Sequence, residues 1–220
     1  MATPTPLTHA PILSLAKATF DDIPEITALW YTCFSSPLFD KLFPPTPAVY
    51  AWWNAANGDD LLHKPSQVYL KVSDVSTEGK GRIVGYGKWG FWEGGEERML
   101  EDRMPAWAGE SDGGLCDRFF GALAEERRRN LGSPPRGHAY LDMLCTLPEY
   151  RKLGVARLLM EWGCERADAQ GKEAYVDASD AGKAVYMKFG FEQQKPLVLE
   201  LDGQWITCTS FVRPAKTQLN

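Results

Sequence analysis

The stretch "LPEYRKLGVARLLMEW", residues 147–162, begins like the end of a strand and finishes like a helix, with Val155, Leu158, Leu159 and Trp162 at helical spacing. Arg151, Lys152 and Gly154 lie at the junction. The first N–H groups of a helix have no internal acceptor, and that end carries roughly half a positive charge. A phosphate is held there by backbone alone. Gly154 has no Cβ to keep an anion at a distance, Arg151 and Lys152 add charge, and Ala156 keeps the first turn small. The segment reads as a diphosphate cradle, although a glycine in a strand-to-helix loop beside exposed cations also serves as an ordinary turn. It is neither a P-loop nor a G-x-G-x-x-G dinucleotide loop.

Working outward, "HAYLDMLCTL" before the cradle reads as a strand, and the helix after it closes at Gly171. "AYVDAS" is the next strand, "DAGKAVYMKF" a short helix, and "PLVLEL" and "WITCTSFV" the last two strands. Towards the N-terminus, "ILSLAKAT" predicts a first strand and "FDDIPEITALWYTCF" a helix capped by Asp21 or Asp22, with Pro24 in its first turn. "SSPLFDKLFPPTP" is expected to be a loop, "AVYAWWNAAN" a short helix ending near Gly58, and "QVYLKVSD" with "RIVGYGKWGFW" an antiparallel hairpin. "LCDRFFGALAEERRRNLG" predicts a further helix, before the break at "SPPRG". The pattern describes a mixed α/β (α+β) single domain over residues 1–220. Its central mixed sheet of about seven strands is flanked by helices, residues 1–10 are loose, and residues 93–136 form a helical insertion before the cofactor-binding strand.

The 220 residues carry 44% apolar and 24% charged side chains and a net charge of -5, an ordinary globular composition. The acidic balance argues against nucleic acid as a partner. Residues 93–112 alone hold seven acidic and two basic residues, which suits a solvated loop or a rim attracting an amine. The first twenty residues lack a basic start and a long apolar run, and no apolar run is long enough to span a bilayer, so a cytoplasmic protein with no membrane partner is expected. Five scattered cysteines and three scattered histidines form no C-x-x-C pair or metal-ligand spacing; reduced thiols and no metal are expected.

The motifs converge on one family. Arg151, Gly154 and Ala156 match R/Q-x-x-G-x-G/A, the acyl-CoA motif of the GCN5-related N-acetyltransferase (GNAT) superfamily, which this chain resembles. About thirty residues on, "ASDAGKAVYMKFGFE" resembles that superfamily's second signature through Tyr186, Gly190 and Phe191, and "LAKATFDDIPEI" resembles its first strand and helix. Further similarity, in "DRFFGAL" and "YLDML", is to a fungal-type, small-molecule-like group of members. The Asn often found before the second motif's helix is absent, with Ser179 near that place.

The resemblance implies a GNAT fold and an acetyl-CoA-dependent N-acetyltransferase, with CoA as product and the amine attacking the thioester directly in a ternary complex. It assigns cofactor binding to Leu144, Cys145 and Thr146, to Arg151, Lys152, Leu153, Gly154, Val155 and Ala156, and to Ser179 and Tyr186. Tyr186 resembles the family's general acid. An unperturbed phenol lies about 1.5 pKa units above a thiol, so it stabilises the leaving thiolate by hydrogen bonding more readily than by full proton transfer.

Asp142 is the candidate base, direct or through a water, or else a structural hydrogen-bonding group. Strict alternation would put it on one face with His138, Tyr140, Leu144 and Thr146, and Leu141, Met143 and Cys145 on the other. Glu93 is an alternative base and His138 a relay or a buried structural histidine. Cys145 suggests an acyl-cysteine route but has no evident paired base. Trp30, Tyr31, Trp52, Trp53, Trp89 and Trp92 are core residues or an aromatic wall for the acceptor. A small-molecule amine is the expected substrate. Acylation of a protein N-terminus or lysine, and non-catalytic acyl-CoA binding, remain as alternatives.

Overall fold

The computed structural model describes residues 10–76, 81–94, 105–132 and 137–216. Residues 1–9 and half of the acidic run at 93–112, residues 95–104, fall outside the described residues. Eight strands form one sheet: β1 (Leu13–Lys17), β2 (Gln67–Asp74), β3 (Arg82–Trp92), β4 (His138–Thr146), β5 (Glu173–Ala178), β6 (Glu192–Gln193), β7 (Leu197–Leu201) and β8 (Gln204–Arg213). Their order is β1-β2-β3-β4-β5-β8-β6, with β7 added on β8. The expected mixed sheet is present with one strand more than the sequence suggested. The addition is β6, two residues long and too short to show a period of its own.

The helices are α1 (Ile23–Cys33), α2 (Pro37–Leu42), α3 (Pro47–His63), α4 (Gly113–Leu131), α5 (Val155–Ala169) and α6 (Lys183–Lys188). Two differ from expectation. The proline-rich segment read as loop contains α2, because Pro37 occupies the first helical position behind Ser36, whose Oγ accepts the Phe39 N–H at 3.2 Å. The Thr46 and Pro47 pair starts α3 in the same way. That helix runs on to His63 instead of ending near Gly58, which lies buried in mid-helix against the Phe20 ring.

The sheet has two covered faces. On one lie α5 and α6: a Cβ at Gly85 or Gly87 would meet Val155 or Leu159, and the Tyr186 ring of α6 packs on Phe211 of β8. On the other lie α1, α3 and α4: Tyr69 on β2 donates to Asn57 of α3, and Leu131 of α4 packs with Tyr140 and Tyr175. Buried residues on both sides make the core. Among the described residues no helix is long and apolar enough to cross a membrane.

Strand β3 settles the faces of β4, because residues directly opposite in an antiparallel pair share a face. Gly85, Gly87, Trp89 and Phe91 pair with Thr146, Leu144, Leu141 and Ala139; Tyr86, Lys88, Gly90 and Trp92 pair with Cys145, Met143, Tyr140 and His138. Lys88 thus faces Met143 while its neighbour Trp89 faces Leu141, which leaves Asp142 as the extra residue of a β-bulge. The expected alternation is corrected accordingly. Leu144 and Thr146 face α5, while Asp142 comes onto the same face as Cys145, Met143, Tyr140 and His138.

Helix α5 sits close to the sheet because of Gly163. A Cβ there would lie 2.0 Å from the fully buried Trp89 ring. In a solvent-exposed helix Gly→Ala gains up to about 1 kcal/mol, but overpacking a rigid indole costs about 1–3 kcal/mol. Gly163→Ala is therefore expected to destabilise the protein by about 1–2 kcal/mol net, read as a lower denaturant midpoint with an unchanged slope.

Candidate active site

The site begins where β4 and β5 part. The two strands pair in parallel over His138–Leu141 and Glu173–Val176, and β4 then continues to Thr146 without β5 beside it. The bulge at Asp142 falls at the point of divergence, where it bends β4 away. Among the described residues no strand pairs with the edge of Leu144 and Thr146 that turns towards β5, so their backbone N–H and C=O groups line a wedge. Of the residues predicted to bind the cofactor, Leu144 and Thr146 form this edge, while the backbone groups of Cys145 between them point to β3, its carbonyl lying against Gly85.

At the open end of the wedge the chain turns into α5. Pro148–Tyr150 make one tight helical turn, and the Tyr150 hydroxyl donates to Asp74 Oδ2 at 2.9 Å, tying the loop to the buried end of β2. Lys152 (φ 64°) and Gly154 (φ 100°) then take left-handed backbone conformations. For Lys152 this costs about 1 kcal/mol of strain; for Gly154 it explains the residue, because the space beside it is open and only the backbone angle demands glycine. No side chain caps α5, so the first-turn N–H groups of Val155, Ala156 and Arg157 point into open space. Arg151, Lys152 and Leu153 are exposed beside them, and the Val155 side chain is buried against the sheet. An uncapped, unobstructed helix N-terminus flanked by two cations fits a diphosphate.

On the β5 side of the wedge stands Tyr186 of α6, only 6% exposed and packed on Phe191 and Phe211. Burial, with Cys145 and Asp177 nearby, holds its phenol pKa well above 10. It is a hydrogen-bond donor and not an acid poised near neutrality. Ser179 lies exposed before α6, where its carbonyl accepts the Gly182 N–H.

Asp142 is not isolated. Its Oδ2 lies 3.0 Å from Lys88 Nζ, and the same ammonium lies 2.6 Å from Asp60 Oδ2 of α3. Asp60 is in turn bonded by Lys64 at 2.8 Å and by the Tyr69 hydroxyl at 3.2 Å. Burial alone would lower the Lys88 pKa, yet its neighbours Tyr69, Asp142 and Asp60 raise it well above its usual value. Lys88 and Asp60 were missed by the sequence reading, although one signal existed: a lysine in the middle of the apolar strand "RIVGYGKWGFW" needs a buried counter-ion. Asp177 of β5 was missed too. It accepts hydroxyls from Tyr140 (3.2 Å), Tyr175 (2.9 Å) and Ser210 (3.1 Å).

Three other candidates change. Glu93 pairs with Lys172 at 2.5 Å, beyond the end of β3 where Trp92 meets His138, so it lies at the opposite end of the strands from the wedge. His138 is buried at that same far end. Cys145 does share a face with Asp142, contrary to expectation, but complete burial raises its thiol pKa well above normal, and a thiol held neutral is a poor nucleophile. Of the six large aromatics, Trp30, Tyr31, Trp52 and Trp53 join Phe43 and Trp107 in a cluster of edge-on and tilted rings on the α1 and α3 side. Trp89 lies under α5 and Trp92 packs near Tyr140 and Tyr175. Among the described residues no cluster could hold a metal ion.

Solved structures share this architecture. An agmatine N-acetyltransferase aligns with a TM-score of 0.64 at 16% identity, covering 91% of this chain and 98% of the other. A Drosophila melanogaster polyamine N-acetyltransferase aligns at 0.60 and 17%, covering 91% and 99%. A Corynebacterium glutamicum protein described as histone acetyltransferase HPA2 and related acetyltransferase aligns at 0.59 and 20%, covering 94% and 99%. No curated protein matches in sequence. The model of the family "Acetyltransferase (GNAT) domain" matches residues 93–208, more than half of the chain and the whole of the wedge, cradle and Tyr186 helix. The chain belongs to the GNAT family of acetyltransferases and is an acyltransferase.

Proposed function

We propose that the protein transfers an acetyl group from acetyl-CoA to the primary amine of a small molecule, by direct attack with both substrates bound. The observation that carries this reading is the parting of β4 from β5 next to the uncapped start of α5, with a protonated phenol buried on the far side. The fit to acetyl-CoA rests on the open cradle at Gly154 and the unpartnered edge of β4. The acetyl thioester supplies an electrophilic carbonyl and a thiolate leaving group.

The chain's own residues divide the remaining work. Backbone N–H groups of Val155 and Ala156, with Arg151, Lys152, Leu153 and Gly154 around them, hold the diphosphate. The edge at Leu144 and Thr146 offers N–H donors where negative charge develops on the carbonyl oxygen, with Cys145 between them bonded to β3, and Ser179 borders the wedge from the β5 side. Tyr186 donates to the departing sulfur. Asp142 receives the acceptor's ammonium group and takes its proton directly or through a water.

A small acceptor is favoured over a peptide by what covers the acceptor face. Asp202, in the turn between β7 and β8, reaches Arg118 of α4 at 2.8 Å and Lys41 of α2 at 3.4 Å, and so bridges the face that an extended peptide would have to cross. Small amines are also the acceptors named for the agmatine and polyamine enzymes of the same fold.

Calorimetry with CoA and acetyl-CoA tests the shared premise. Gly154→Asp, which adds a negative charge and a side chain in an unfavourable backbone conformation, is expected to weaken CoA at least about tenfold; unchanged affinity would remove the cradle. A thiol-release screen across small amines and peptides should find turnover among the amines, and turnover confined to peptides would favour protein acylation. Tyr186→Phe is expected to lower kcat by about 10- to 100-fold, the range of one hydrogen bond to a charged group, with little change in CoA affinity. Because its raised pKa keeps Tyr186 protonated, the wild-type kcat should show no loss assignable to this phenol below about pH 10. An alkaline limb below that pH that disappears in Tyr186→Phe would contradict this role.

A further inference from the structure

We infer that Lys88, clamped by Asp60, is a positioning residue that keeps Asp142 ionised and fixed at the mouth of the β4/β5 wedge. The inference rests on the reading of Asp142 as the group that meets the acceptor amine.

Three observations on different elements support it. Lys88 is 12% exposed in its side chain, and its ammonium lies 2.6 Å from Asp60 Oδ2 and 3.0 Å from Asp142 Oδ2. A buried ammonium between two carboxylates stays charged, and an opposite charge at this distance favours the ionised form of each carboxylate. Asp142 is the bulged residue of β4, so the ladder holds it less tightly than its neighbours. Lys88, on β3 directly opposite the bulge and paired with Met143, supplies the missing restraint on where its carboxylate points. Asp60 is essential to the device because α3 carries it with its own support from Lys64 and Tyr69. Without Asp60, the ammonium would be free to collapse onto Asp142 alone.

Groups facing Asp142 come from several elements. Lys88 approaches from β3, and Tyr69 from β2 lies against the Lys88 ammonium at 5.3 Å. Arg127 from α4 and Gln67 from β2 line the same small cavity as Asp142 and Lys88. Arg127 stacks on Tyr140, its guanidinium carbon 4.3 Å from the ring centroid. Two cations therefore line the cavity of the carboxylate, and Lys88 is shared with a second buried acid, Asp60. A half-buried carboxylate that loses its cation has its charged form penalised by desolvation, and its pKa rises.

The test reads Asp142 directly. Carbon-detected NMR titration of the carboxyl groups, with Asp142→Asn identifying the signal, sets the wild-type midpoint of Asp142 as the reference. In Lys88→Met, which keeps the length and apolar stem of the side chain, the midpoint should rise by at least one pH unit. The acidic limb of kcat/KM should move up by the same amount while CoA affinity stays within about twofold, and Lys88→Arg should restore most of the wild-type profile. Thermal unfolding of Lys88→Met checks that it folds; if it does not, Asp60→Asn, which leaves the ammonium to Asp142 alone, should lower the Asp142 midpoint and move the acidic limb of kcat/KM down with it, and an unmoved midpoint in that variant overturns the inference. A titration midpoint unchanged in folded Lys88→Met overturns the inference. A midpoint that moves while the rate profile keeps its acidic limb, in both that variant and Asp142→Asn, instead leaves Lys88 controlling the carboxylate and removes Asp142 from the reaction.

Discussion

Two parallel strands that pair for four residues and then separate create everything else at this site. While β4 and β5 run together they are a closed part of the core; beyond Leu141 and Val176 the edge of β4 faces an opening. Backbone groups in such an edge need partners, and a thioester with its amide-bearing arm is a suitable one. The separation requires β4 to bend, and the extra residue at Asp142 provides the bend at the position where the gap starts. One local irregularity therefore both opens the wedge and projects a carboxylate at its mouth.

The charge distribution follows from that geometry. A protein of net charge -5 places exposed cations at the start of α5, where backbone dipoles already favour an anion. On the opposite face it buries Lys88 among acids, where the ammonium offsets the cost of carboxylates removed from water. The two uses of positive charge differ in solvation. Arg151 and Lys152 are exposed and screened, so they add modestly to binding. Lys88 is buried, so its effect on neighbouring groups is strong and specific.

The legible parts were those encoded by local chemistry. Gly154 stood out as a residue without Cβ at a strand-to-helix junction, although it is its left-handed backbone that demands glycine, and Tyr186 because it follows the cradle at a family-like spacing. The strands and the long helices α4 and α5 were visible in periodicity. The prolines of α2 and α3 misled because proline breaks a helix interior but starts one when a Ser or Thr precedes it. The faces of β4 were misread because a bulge adds one residue without changing composition, and every side chain beyond it reverses. Lys88 and Asp60 are 28 residues apart in sequence and meet only because α3 packs over β3.

By itself the sequence determined the family, the strand-to-helix turn at Gly154 and the helix that carries Tyr186, since each depends on residues close in the chain whose backbone requirements are specific. Tertiary structure alone decided which face Asp142 occupies, that Cys145 is buried and held neutral, that Glu93 lies at the wrong end of the strands, and that Lys88 binds two acids at once. Those facts depend on strand register and helix docking. Both are set by the packing of the whole sheet, and no short segment contains them.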